Sequence, residues 1–195
     1  MKCFVFPLTH ANLFPLTTKP LNIFEPRYMQ MIKEAIDTNT PVVLAYLPDN
    51  GDTYRSIAGY GHPQIIDQRE NNTLLVFLSG LSKVKIIREI NDASKPFIIA
   101  ECEPVYEDLN LDENLKPKFM TLSHILVQWV QKHIPDPEQR EVFVRSLKGP
   151  QEIIGAFAAY LIRDYDLQYE MMEITSLNEQ IMYLYRLFES NELST

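Results

Sequence analysis

The apolar residues of this chain repeat with a period of two over roughly its first 105 positions and with a period near 3.6 from about position 116. Alternation suits strands and the longer period suits helices, so the two patterns cannot share one regular element. The chain therefore reads as α+β, with strands and helices segregated along the sequence. The switch falls between about 106 and 116, in an acidic stretch, and divides the chain into a β-rich subdomain at 1–110 and a helical subdomain at 111–195.

In the first part, segments 2–6, 42–47, 57–67, 73–78, 84–90 and 97–103 are rich in Val, Ile, Leu and Phe and are separated by turn signals. Asn50-Gly51 suits the positive φ of a tight turn. Glu70-Asn71-Asn72 reads as the next turn, and Gly80 as a break between two strands. In Lys83-Val84-Lys85-Ile86 polar and apolar residues alternate, which predicts one wet face. Several short strands joined by hairpins predict an antiparallel barrel, closed or half-closed. One helix, near 25–37, interrupts them. Pro26 suits a first helical turn, Glu25 meets the positive helix end, and Tyr28, Ile32, Ala35 and Ile36 form an inward face.

In the second part Phe119, Leu122, Ile125, Leu126, Trp129 and Val130 form a stripe that stops at Pro135. Asp136 and Pro137 start a second helix, bearing Val142, Phe143 and Leu147 and closed by Gly149. Pro150 opens a third, and the capping-box pattern Ser176-x-x-Glu179 opens a fourth, with Leu177, Ile181, Leu184 and Phe188 at helical spacing. Four amphipathic helices with short links make a small bundle.

The chemistry is sparse. The chain contains no phosphate-cradling G-x-x-x-x-G-K-[ST] and no G-x-S-x-G elbow. His124 and His133 lie nine positions apart, about 2.5 helical turns, and so point to opposite sides; no metal site is expected. Glu101 and Glu103 share a strand face and read as a solvated pair at the end of an edge strand. Glu25 and Arg27 read as a cap and a surface ion pair. Cys3 and Cys102 are too few for a disulfide framework. Net charge is −8, spread as −5 over residues 1–115 and −3 over the rest, without a Lys/Arg cluster, so nucleic acid is not an expected partner. No apolar run approaches the roughly 20 residues of a membrane span, and the opening apolar stretch is shorter than a signal-peptide core of about 7–15 residues. The expectation is a cytoplasmic protein without a membrane partner.

Ile23-Phe24-Glu25-Pro26-Arg27-Tyr28, placed after Phe6-Pro7-Leu8 and Leu13-Phe14-Pro15-Leu16, resembles the opening of the N-terminal, substrate-binding domain of Lon proteases. Ile57-Ala58-Gly59-Tyr60-Gly61, the run from Leu75 to Ile86 and Phe97-Ile98-Ile99-Ala100-Glu101-Cys102-Glu103-Pro104 resemble later strands of that family. Its helical half is matched by a short helix at 167–172 followed by 177–188. The resemblance implies a PUA-like antiparallel β pseudo-barrel followed by a C-terminal helical bundle. It also implies a non-catalytic module without cofactors, related to proteolysis only by ancestry, because neither the ATPase nor the Ser–Lys peptidase module of Lon is found in these residues. A stand-alone form is expected, binding unfolded or exposed protein segments or a protein partner as an adaptor or chaperone-like factor. The alternative is a small-ligand protein or enzyme using the cleft between subdomains. The expected contact residues are Leu13, Phe14, Tyr60 and His62, in loops beside strands. Leu13 and Phe14 admit a second reading, as a plug in one end of the barrel.

Overall fold

The first strand shows why an open sheet cannot serve this sequence. In β1 (Lys2–Leu8), Cys3 and Val5 point to one side and Phe4 and Phe6 to the other, and all four are buried. A strand buried on both faces needs cover on both. The computed structural model, which describes residues 1–69, 73–190 and 193, supplies that cover by closing the sheet. Two compact units are present, Met1–Val105 and Tyr106–Thr195.

In the first unit β1 pairs with β3 (Val42–Tyr46) and with β6 (Ile98–Pro104). β3 pairs with β4 (Ile57–Gln68), and β4 with β5 (Leu74–Ile90). β5 then returns to β6, so five strands form a ring. A further strand, β2 (Thr18–Ile23), adds only to the first half of β5. One side of β1, β3 and β6 holds a cluster of small residues, including Cys3, Val5, Val43, Ala45, Ala58, Val84, Ala100 and Cys102. The other side holds Phe4, Phe6, Val42, Leu44 and Ile99 with Leu13, Leu74, Val76 and Leu78. The inward face of α1 (Pro26–Thr38) joins that second cluster through Tyr28, Met31, Ile32 and Ala35. Both cysteines are free and fully buried.

The fold class is the α+β one expected, with several differences in detail. β1 and β3 run parallel, because β2 and α1 lie between them in sequence and carry the chain across. The expected strands 73–78 and 84–90 are one 17-residue strand, β5, and Gly80 does not break it. β2 lies in a segment to which the sequence assigns no element. β6 is paired on both sides and is no edge; Glu101 accepts a 2.7 Å hydrogen bond from Arg88 Nε. Lys83, expected on a wet face, is 1% exposed. It pairs with Gly59, on the face crossed by the backbone of Leu13. The turn after β3 is closed by Gly51 N–H donating to the Pro48 carbonyl at 3.0 Å, and no described glycine has a positive φ. The turn expected at Glu70-Asn71-Asn72 lies outside the described residues.

α1 starts and stops where the sequence predicts. Pro26 occupies its first turn, and Asn39 ends it in the left-handed region at φ 51°. The Glu25 carboxylate does not cap the helix; it accepts from Arg27 Nε at 2.9 Å. The Arg27 guanidinium lies 4.5 Å from the Tyr28 ring centre, and that ring packs 4.4 Å from Phe6. Ile36 is exposed, and Met31 takes its place inside.

Among its described residues the second unit has five α-helices where periodicity gave four. α2 (Lys116–His133) buries Leu122, Leu126 and Val130. α4 (Pro150–Leu161) buries Ile154, Phe157 and Leu161, and α6 (Leu177–Glu189) buries Leu177, Ile181, Leu184 and Leu187. The extra helix is α5 (Tyr165–Glu173), at the site of the short helix that the resemblance implies. Asp164 caps α5, its carboxylate accepting from the N–H groups of Asp166 and Leu167. Asp136 caps α3 (Pro137–Ser146) as expected, accepting from Glu138 N–H at 2.9 Å. Gly149 does not close α3; it precedes α4 with extended backbone. Ser176 makes no side-chain cap. α3 buries no residue, and Val142 is 70% exposed.

Candidate functional site

The outer face of β2, β5 and β4 is built by strict register. Inward, Leu74, Val76 and Leu78 are fully buried. The alternate residues Phe77 and Ser79 must then face outward. Phe77 lies between Pro20 of β2 and Gln64 of β4. Ser79 lies between Thr18 and His62, and its hydroxyl is 3.0 Å from that of Thr18. These two rows make a surface of mixed polarity on a rigid scaffold.

Two leucines extend it. Leu81 is the extra residue of a β-bulge, because Gly61 pairs with Gly80 while Tyr60 pairs with Ser82. The bulge turns the side chain outward. Leu16 approaches from the preceding loop, its N–H donating to the Gly80 carbonyl at 2.8 Å. Leu16 has φ 61°, a left-handed conformation that costs a non-glycine residue about 1 kcal/mol or more. Leu16 and Leu81 are both about half exposed.

What holds this loop is the absence of side chains beneath it. A Cβ on Gly59 would stand 1.8 Å from the Leu13 carbonyl oxygen, and one on Gly80 would stand 2.3 Å from that of Phe14. Glycine in these strands permits the close backbone approach. Thr17 fastens the turn, its hydroxyl donating to the Phe14 carbonyl at 2.7 Å, and its own carbonyl accepts from Gly80 N–H at 2.8 Å.

Of the four residues picked out from sequence, Leu13 and Phe14 lie inside, at 0% and 2% exposure, and Leu13 joins the main apolar cluster. Tyr60 is half-buried against the small-residue cluster. His62 is exposed on the outer face, in the Thr18–Ser79 row. The structure thus brings Leu13 and Phe14 under the loop and His62 onto the surface next to it. Leu16, Pro20, Phe77 and Leu81 were not anticipated. Leu81 carried a signal, since it follows Gly80 and disturbs the alternation; Phe77, in the run Leu74-Leu75-Val76-Phe77-Leu78, carried none.

The electrostatics of the face are mild. Burial holds the Lys19 ammonium, on the other side of β2, below its ordinary pKa. The second edge of β2 pairs with no strand among the described residues. No group of His, Cys, Asp and Glu among those residues could hold a metal ion, and no helix among them is long and apolar enough to cross a membrane. The face offers apolar contact, hydroxyls and an imidazole. That set suits recognition of a polypeptide.

The family model of the ATP-dependent protease La (LON) substrate-binding domain matches residues 2–190. Among solved structures, the N-terminal domain of Mycobacterium avium complex Lon protease superposes with a TM-score of 0.74 at 15% identity, covering 97% of this chain and 98% of that one. The Lon N-terminal domain protein from Xanthomonas campestris gives 0.69 at 16% identity, covering 95% and 98%. No curated protein matches.

Proposed function

Because the chain belongs to the family of ATP-dependent protease La (LON) substrate-binding domains, we propose that it is a non-catalytic module, an adaptor or chaperone-like factor, that captures exposed apolar segments of other polypeptides on the outer face of β2, β5 and β4. The observation that carries this reading is the grouping of Leu16, Pro20, Phe77 and Leu81 on a face whose interior side is fully packed. Exposed apolar groups clustered on a rigid sheet mark interaction surfaces. In this reading Leu13 and Phe14 support the loop from beneath, Tyr60 packs behind β4 and His62 contributes a polar contact. The family's cytoplasmic setting is carried over as part of the same proposal.

The test uses a reduced, carboxymethylated protein that stays unfolded in buffer, with binding read by fluorescence anisotropy. Phe77→Ser and Leu81→Ser replace outward side chains and leave the interior untouched. Each is expected to weaken binding about five- to tenfold, as truncation of an interface anchor does, with melting nearly unchanged. Wild-type affinity in both variants would refute the assignment to this face.

A further inference from the structure

Between α2 and α6 of the helical unit lies a cavity of about 310 Å³, lined by Ile125, Gln128, Trp129, Lys132 and His133 of α2 and by Phe188 of α6. Its volume is at the lower end of ligand pockets, about 300–1,000 Å³, enough for one large side chain and a small polar group. Its walls divide the same way. Ile125, Trp129 and Phe188 supply apolar surface, and Lys132 is the only lining side chain with a permanent charge. None of the ion pairs among the described residues involves Lys132.

The cavity is also pre-organised. The Trp129 ring stacks with His133 at 4.6 Å and with Tyr160 at 5.6 Å, which restrains the indole. The His133 Nδ1 atom is 2.9 Å from the Trp129 carbonyl oxygen. A carbonyl only accepts, so Nδ1 carries a proton and donates to it, which orients the ring. Gln128 Nε2 is held 2.9 Å from His124 Nε2, which leaves the Gln128 carbonyl oxygen as an acceptor. The lining therefore offers one cation, an amide oxygen as acceptor for an N–H group and an apolar wall. A helix C-terminus disfavours an anion, but the Lys132 ammonium lies in the last turn of α2 and the Val130 carbonyl already accepts from Ile134 N–H at 3.0 Å.

We propose that this cavity binds the C-terminal residue of a peptide chain when that residue is apolar, its side chain against Trp129 and Phe188 and its carboxylate paired with Lys132. Charge complementarity selects the anionic end of a chain over a cationic ligand, and a single lysine without neighbouring cations does not make a phosphate clamp. The proposal rests on the reading that the chain takes polypeptide ligands, but it uses different residues from those of the sheet face.

The chain has a single tryptophan, Trp129, so its emission reports on the cavity directly. Three probes are titrated: N-acetyl-Gly-Leu as the free acid, its amide, and N-acetyl-Glu-Leu amide, which carries its carboxylate on a side chain. The free acid is expected to change Trp129 emission saturably and to bind about tenfold more tightly than either amide, as a charge-assisted contact provides. Lys132 is exposed, so Lys132→Ala should fold normally and lose the preference for the acid, while Lys132→Arg should keep it. Phe77→Ser should leave all three titrations unchanged, which separates this site from the sheet face. Equal response to acid and amide, no saturation, or a preference that survives Lys132→Ala would overturn the proposal. Binding of the Glu-Leu amide as tight as the free acid would overturn the assignment to a chain terminus.

Discussion

Gly59 and Gly80 decide where the loop containing Leu13 and Phe14 can lie, since a methyl group at either would occupy the space of a backbone carbonyl. Gly59→Ala is therefore expected to cost roughly 3 kcal/mol or more in urea unfolding, at or beyond the upper end of the overpacking range. Gly51→Ala, whose new Cβ would meet only Pro48 at 3.4 Å, should stay within about 0.5 kcal/mol. Phe14→Ser probes the same loop from inside. Its side chain is buried, and the variant should lose roughly 3 kcal/mol or more, as large core truncations do; unchanged melting would show that the ring is no plug. The apolar character of this loop was legible in the sequence, but the direction of its side chains was not. Residues 9–17 follow neither period, so no face could be assigned, and burial there is set by two glycines more than 40 positions away in sequence.

Among the elements, α1 was readable to within a residue or two because its signals are local: Pro26 fixes the first turn and Asn39 tolerates the left-handed exit. β2 was hidden because Lys19, Pro20 and Asn22 are poor strand formers, and only pairing with β5 orders them. β5 was split in two because Gly80 looked like a break, whereas it serves a close approach between backbones. Each irregularity in the β4–β5 and β5–β6 ladders extrudes one large apolar residue: Ile66, Leu81 and Ile87. Two of them are the second members of the doublets Ile65-Ile66 and Ile86-Ile87, so a broken alternation was the trace that bulges left in the sequence. Helix capping gives a paired prediction. Asp164→Ala removes an acceptor for two N–H groups of α5 and should lower stability by about 1 kcal/mol in thermal unfolding. Ser176→Ala removes a hydroxyl that caps nothing and should change stability by less than about 0.5 kcal/mol.

For the molecule as a whole, a closed or half-closed barrel was legible in the run of short strands, whereas the order of those strands around the ring was not, because pairing partners leave no mark on either strand alone. Several groups share a titration direction. Burial, and then its hydrogen bond to Glu89, raises the Tyr54 phenol above its ordinary value; burial does the same to Tyr28 and Tyr160. A raised folded pKa contributes stability that is fully present below the unfolded value of about 10 and lost as pH climbs beyond it. Urea midpoints should therefore fall above about pH 10, and Tyr54→Phe should flatten that fall; a midpoint that rises there would contradict the assignment. The pairing of β1 with both β3 and β6 has a consequence in time. A ribosome delivers residues 2–8 first and residues 98–104 last among the strands of the ring. At roughly 5–20 residues per second, β1 waits about 5–20 s for its second neighbour. During that interval Phe4, Val5 and Phe6 lie on an unpaired edge, open to the nascent chains of adjacent ribosomes. A strand that is buried on both faces in the finished ring is thus the one longest in need of protection while the chain is being made.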